Sequence, residues 1–213
     1  MKSSLRNYQS ENNLPVLNIF LMRHGEVDLD FKGKFVGQVD IPLTDKGRDQ
    51  ALWWSEALKD VGLKSIYCSD LIRSHESAKI FVGQAEMPIV RLSQLREIHL
   101  GRWEGRSIAD VKEAWPVEWE ERGRNIVMFR PPDGESFHDL AQRVIPAFQN
   151  IVANITGHVL IVGHAGVNRV ILCHVMGIEL SKLLTIRQDY GHMNVLEFEN
   201  GDLSVKSLNV GSM

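Results

Sequence analysis

Two stretches of strand length constrain this chain more than any other feature. Val16–Met22 (VLNIFLM) is nearly all apolar, and His158–Val162 (HVLIV) is a second apolar run. A run of this length without polar alternation suits a strand covered on both faces, as in a parallel sheet. Parallel neighbours need crossover connections, so helices must lie between the strands. The intervening sequence supplies them. Thr44 can cap a helix through Ala51, Leu52, Leu58 and Val61 that stops at Gly62. Ser65–Cys68 reads as a strand, followed by a helix from about Leu71 to Val82 with Gly83 behind it. Ile89–Arg91 is a further short strand. Ser136 opens a helical pattern (Phe137, Leu140, Val144, Phe148, Ile151, Ile155) in which Pro146 predicts a kink. Another helix runs from about Val167 to Met176 and stops at Gly177. VLEFE and LSVKSL then flank Asn200-Gly201-Asp202, a hairpin signal. The expected fold is α/β: a three-layer α/β/α arrangement with a mostly parallel sheet, a C-terminal antiparallel hairpin and a small helical insertion.

A length of 213 residues suits one domain spanning 1–213. Residues 1–15 are a polar N-terminal extension. Residues from about 103 to 133, with Trp103, Trp115, Trp119 and the Pro131-Pro132 pair, read as an insertion too short to build its own core. The charge of −3, from 24 Lys and Arg against 27 Asp and Glu, argues against a nucleic-acid binder that works by overall phosphate neutralisation. A local anion pocket remains compatible with it. Cys68 and Cys173 sit in apolar runs without metal-ligand or CxxC spacing, as expected of buried free thiols in a reducing compartment. The N-terminus lacks the apolar core of a secretory signal, and no stretch reaches the roughly 18 apolar residues of a membrane span. The chain therefore reads as cytoplasmic, with no membrane partner.

Ligands of open α/β sheets bind beyond the carboxyl ends of the strands. Three expected strands end in residues suited to one anionic ligand: Arg23-His24-Gly25-Glu26, Ser69-Asp70-Leu71-Ile72-Arg73, and Gly163-His164-Ala165-Gly166. If these ends are neighbours, two arginines and two histidines surround one point. Guanidinium forks match phosphate oxygens, helix N-termini attract anions, and Gly25 and Gly166 allow close backbone approach. Each motif alone is usually structural, but core packing does not require all three together. The ligand expected is a phosphoryl group. There is no P-loop, Ser or Cys nucleophile motif, or metal-binding motif, so no metal or cofactor is expected. A neutral imidazole can attack phosphorus and form a covalent intermediate, while arginines stabilise the equatorial oxygens. Glu97 is the candidate proton donor for the leaving alkoxide.

LMRHGE, GQVDIPLTDKG, CSDLIRSHESA, LREIHLGRWEG, PPDGESF and VGHAGVNR, in that order, resemble the histidine phosphatase (phosphoglycerate mutase-like) superfamily from about residue 17 to residue 176. The resemblance implies His24 as a nucleophile that becomes phosphohistidine, and Glu97 as proton donor and later activator of water. It places Arg23, Arg73 and His164 at phosphate-pocket positions. Two departures stand out: relatives usually carry Ser or Thr where this chain has Val27, and Asn where it has Asp30. An anionic Asp30 must turn away or weaken phosphate binding.

Gly101-Arg102-Trp103-Glu104-Gly105 resembles the phosphatase branch, particularly α-ribazole-5′-phosphate phosphatases of cobalamin synthesis and related broad-specificity enzymes. The Arg-Arg-Ser-Phe/Tyr stretch of the mutases is absent, although His99 is a mutase-like residue. The resemblance therefore implies a metal-independent phosphomonoesterase acting on a small phosphate ester. The rival readings are a phosphoglycerate mutase and a non-catalytic phosphate-ligand binding module; the latter would not need Glu97. The insertion, expected over the active site, is the natural seat of substrate choice. Its tryptophans can stack on a flat leaving group, or more simply pack helices onto the sheet. Its basic residues, Lys112, Arg122, Arg124 and Arg130, are offset by carboxylates, so no strongly anionic second group on the substrate is implied. The terminal hairpin offers an edge for pairing two copies as a homodimer.

Overall fold

β1 (Leu17–Arg23) and β4 (His158–Gly163) show why their sequences lack polar alternation. In β1, Ile19 and Leu21 face one core while Phe20 and Met22 face the other; in β4, Val159 and Ile161 oppose Leu160 and Val162 in the same way. With a side-chain period of two, both faces of each strand are therefore buried. The computed structural model describes residues 16–28, 30, 33–83 and 87–212. The polar extension expected at 1–15 lies outside the described residues.

The other elements are α1 (Asp45–Ala57), β2 (Leu63–Cys68), α2 (Ile72–Val82), β3 (Ile89–Arg91), α3 (Ile108–Ala114), α4 (Pro116–Arg124), α5 (Phe137–Ala153), α6 (Ala165–Met176), β5 (Met193–Glu199) and β6 (Asp202–Val210). The described strands form one six-stranded sheet in the order β3-β2-β4-β1-β5-β6. The first four run parallel, and β5 and β6 are antiparallel to their neighbours. α1 and α2 cover one face through Trp54, Ala78 and Phe81; α5 and α6 cover the other through Leu140, Phe148 and Ile171. The α/β fold with a mostly parallel sheet and an antiparallel end is the one expected. Among the described residues no helix is long and apolar enough to cross a membrane.

Local chemistry sets the element ends. Thr44 accepts the Gly47 N–H at 3.1 Å and starts α1. This helix ends at Ala57, short of the expected Val61, because residues beyond it close i→i+3 bonds such as Val61 N–H to Leu58 O, a tighter turn. Ser136 and Asp139 form a capping box at the start of α5, which continues through Pro146 as one element. α6 starts at Ala165, two residues before the expected Val167, which makes His164 its N-cap. Asn200 and Gly201 take φ values of 52° and 94°, the pair of positive angles that a two-residue hairpin turn requires.

The start of α1 packs directly on the loop after β1. A methyl carbon on Gly47 would stand 2.2 Å from the Glu26 carbonyl oxygen, and one on Gly25 would stand 2.2 Å from the Gly47 oxygen. Backbone lies on both sides of this contact, so no flexible side chain can yield. Alanine's helix preference over glycine, about 1 kcal/mol, is outweighed by overpacking of typically 1–3 kcal/mol. Gly47→Ala is expected to lower the melting temperature by about 3–6 °C. An unchanged or raised melting temperature would show that the two backbones can separate freely.

Candidate active site

β1 and β4 are in parallel register with Arg23 opposite Gly163, so the chain leaves the sheet side by side at His24 and His164. Parallel strands lie about 4.8 Å apart, and the two imidazole centroids are 5.0 Å apart. The His24 N–H continues the ladder to the Gly163 carbonyl at 3.1 Å. On the other side of β4, Cys68 of β2 pairs with Val162, which brings Ser69 beside His164; Ser69 Oγ is 2.7 Å from His164 Nε2. Arg73 arrives from the first turn of α2. The three strand ends converge.

Buried serines fasten α2 in place. The Ser74 hydroxyl donates to the Val162 carbonyl at 2.7 Å and accepts the Ser69 N–H at 3.1 Å. The Ser77 hydroxyl donates to the Arg73 carbonyl at 2.8 Å and accepts the Gly25 N–H at 3.1 Å. The first turns of α2 are thus tied to the ends of neighbouring strands.

His24 Nδ1 lies 2.8 Å from the Gly25 carbonyl, an acceptor, so Nδ1 carries the proton and Nε2 keeps its lone pair. That lone pair accepts from Arg73 Nε at 3.2 Å. Burial, followed by the charges of Arg73 and Arg23, holds the His24 pKa well below 6.5. Burial and then Arg73 do the same to His164. Both rings are neutral near pH 7.

Each guanidinium is held by backbone. Arg73, 1% exposed, donates to the carbonyls of Gly37 and Val39, both at 2.7 Å. Arg23 donates to the Gln188 carbonyl at 2.7 Å, and its guanidinium carbon stands 3.6 Å from the centre of the Tyr190 ring. Burial lowers both guanidinium pKa values and nearby Glu97 acts to raise them; arginine keeps its charge under such shifts. Arg23 Nε and His164 Nδ1 are buried without a hydrogen-bond partner, as, among the described residues, is Trp103 Nε1. An unpaired buried polar group costs about 1–3 kcal/mol.

Glu97 stands where two compartments meet. One, about 250 Å³, is lined by Arg23, His24, Arg73, Glu97 and Tyr190; the other is mainly apolar and begins at Phe35, Ile98 and Leu100. The Glu97 carboxylate accepts the Gly166 N–H at 3.1 and 3.2 Å and the Ile98 N–H at 2.9 Å. Its backbone carbonyl accepts from Gln38 and Arg143, both at 3.0 Å. Arg143 also grips both oxygens of Glu135, each at 2.8 Å, and so fixes the Glu97 loop onto α5.

Gly166 departs from the expectation that it binds phosphate: its N–H is taken by Glu97. A methyl carbon there would stand 2.4 Å from Glu97 Oε1. Val27 is buried with Ile41 and Leu43, which accounts for an apolar residue at a usually hydroxylated position. Asp30 is exposed, turned to solvent as its charge demands. The tryptophans pack instead of lining a ligand surface. Trp103 is fully buried, with ring centres 5.4 Å from Phe35 and 5.3 Å from Phe129. Phe35 and Phe129 present the aromatic faces of the apolar compartment.

Several contributors escaped the sequence reading. Ser74 and Ser77 lay within CSDLIRSHESA with no role assigned, and Ser69 was read only as part of its strand end. Gln38 lay within GQVDIPLTDKG with no role assigned, while Tyr190 and Arg143 come from distant segments that carry no local mark. Chemically, the arrangement offers a neutral imidazole whose Nε2 lone pair faces a cation, two fixed cations and a carboxyl group at one boundary.

Residues 19–211 match the histidine phosphatase superfamily (branch 1), and the chain belongs to that superfamily. Adenosylcobalamin/alpha-ribazole phosphatase of Salmonella typhimurium is 27% identical over 201 residues, 91% of this chain and 96% of the relative. A probable phosphoglycerate mutase, GpmB of Escherichia coli, is 35% identical over 136 residues, 63% of each chain. The structure of Bacillus stearothermophilus YhfR superposes with a TM-score of 0.84 at 31% identity, covering 92% of this chain and 98% of that one.

The neutral imidazoles have a consequence for stability. In the unfolded chain each titrates near 6.5, so below that pH the unfolded state binds protons that the folded state refuses. Stability is therefore lost on acidification, by about 1.4 kcal/mol per pH unit per imidazole until the folded-state pKa is reached. Urea unfolding between pH 7 and pH 5 is expected to show a shallower loss in His164→Gln than in the unsubstituted protein. Equal slopes would mean that His164 is not held neutral.

Proposed function

We propose that this chain hydrolyses small phosphate monoesters through a phosphohistidine on His24. The observation that carries the reading is the His24 ring itself: Nδ1 is engaged by the Gly25 carbonyl, and the Nε2 lone pair stands beside Arg73 in a buried, cationic pocket. In the first step Nε2 attacks phosphorus and the bond from phosphorus to the ester oxygen breaks. Arg23, Arg73 and His164 stabilise the equatorial oxygens, and the Glu97 carboxyl gives its proton to the departing alkoxide. In the second step the Glu97 carboxylate takes a proton from water, whose oxygen attacks phosphorus. The P–N bond breaks, and inorganic phosphate and free His24 result.

His24→Ala is expected to abolish turnover of an aryl phosphate and acid-labile phosphorylation of the protein. Near-normal turnover by that variant would overturn the nucleophile assignment. Glu97→Gln should lower kcat by about 10²–10⁴-fold with esters of poorly leaving alcohols. EDTA should leave activity unchanged, and dependence on an added divalent metal would contradict the mechanism.

Full-length similarity to enzymes described as alpha-ribazole phosphatases supports α-ribazole 5′-phosphate as a specific substrate. A kcat/KM panel of phosphate esters that includes it tests this choice; a value no higher than that for simple aryl phosphates would remove it. The partial match to probable phosphoglycerate mutases favours a second reading. It predicts bisphosphoglycerate-dependent interconversion of 2- and 3-phosphoglycerate, which the hydrolase reading excludes as the main activity.

A further inference from the structure

The apolar compartment beyond Glu97 is not used by the phosphoryl chemistry. It shares Phe35, Glu97, Ile98, Leu100 and Arg169 with the phosphate compartment, so an ester with its phosphoryl group at His24 extends past Glu97 into it. Ile126, Phe129, Pro131 and Phe137 continue the wall. Its volume, about 160 Å³, is close to that of an apolar cavity known to hold benzene. The space fits one aromatic ring.

One charge in this wall stands apart. Arg122, half-buried on α4, lies with its guanidinium carbon 5.3 Å from the Trp119 ring centre and 5.9 Å from that of Phe35. Among the described residues it has no hydrogen-bond or ion-pair partner. Burial lowers its pKa and no carboxylate is near enough to oppose the shift. Of the other charged groups of the wall, Glu135 is held by Arg143 and Glu97 by the Gly166 and Ile98 N–H groups, while Arg169 donates its Nε to the Ile186 carbonyl and has the carboxylates of Glu97 and Asp189 acting on its charge. A guanidinium resting on aromatic faces is common at protein surfaces and by itself needs no ligand. The difference here is its place in the wall of a chamber that opens on the reacting centre.

We infer that the leaving group of the substrate is a flat apolar ring bearing an anionic substituent, which Arg122 receives. The inference rests on the phosphomonoesterase reading, stands against α-ribazole 5′-phosphate as the preferred substrate because that leaving group carries no anionic substituent, and reverses the expectation from charge counting that no strongly anionic second group is involved. The carboxylates that balance the insertion in sequence do not reach Arg122 in space; Glu120, for example, pairs with Arg124.

The test compares kcat/KM for 4-carboxyphenyl phosphate and phenyl phosphate. The unsubstituted protein should prefer the carboxylated ester by about 10-fold or more, the scale of a charge-assisted contact. Arg122→Gln should bring the ratio close to one, and Arg122→Lys should retain part of the preference. Being a ratio, the readout is insensitive to partial loss of folded protein. A preference unchanged in Arg122→Gln, or absent from the unsubstituted protein, would overturn the inference. Titration calorimetry with 4-carboxybenzylphosphonate and benzylphosphonate provides a second arm. If neither ester is hydrolysed the phosphatase reading fails, while the phosphonate pair still shows whether Arg122 selects the carboxylated ligand.

Discussion

Two guanidinium groups are buried beside two imidazoles, and much of this structure follows from accommodating them. A charge removed from water is tolerated only where hydrogen bonds and opposite charge replace its hydration. The carbonyls of Gly37 and Val39 turn inward to meet Arg73, and the Gln188 carbonyl and the Tyr190 ring meet Arg23. Glu97 is the nearby carboxylate that acts on both. Burial, and then the charges of the two arginines, keep the imidazoles neutral, which is the state a nitrogen nucleophile needs. An electrostatic problem of folding and the chemical requirement of the site therefore have one solution.

Sheet register is what makes the concentration of charge possible. Arg23 opposite Gly163 and Cys68 opposite Val162 align three strand ends within neighbouring-strand distance. No long side chain has to reach across the molecule. The serines of α2 then hold Arg73 at the level of the imidazoles, and the Arg143–Glu135 pair holds the Glu97 loop from the opposite side. The compartment at the strand ends is built from backbone position first and side-chain reach second.

Much of this was legible in the sequence because its signals are local. VLNIFLM and HVLIV declare strands buried on both faces, Thr44 and Ser136 declare helix starts, and Asn200-Gly201 declares the turn. The residues Arg23, His24, Arg73 and His164 could be read as one cluster because each follows a recognisable strand. Tyr190 and Arg143 could not, since their partners are far away in sequence and their own surroundings look like ordinary loop or helix; Gln38 stood in a marked loop, but its partner Glu97 is 59 residues away. The insertion misled in a different way. Trp103 looked available for stacking but is consumed by packing, and the summed charge of the segment concealed the isolation of Arg122. Composition averages over a segment; a binding wall depends on which side chain faces it.

Cys68 occupies the last position of β2, immediately before Ser69, fully buried. Burial pushes its thiol pKa up to about 12, so the thiolate that alkylating agents and peroxides attack is scarce at neutral pH. Sulfur therefore sits one residue from the pocket in its least reactive form, the buried protonated thiol.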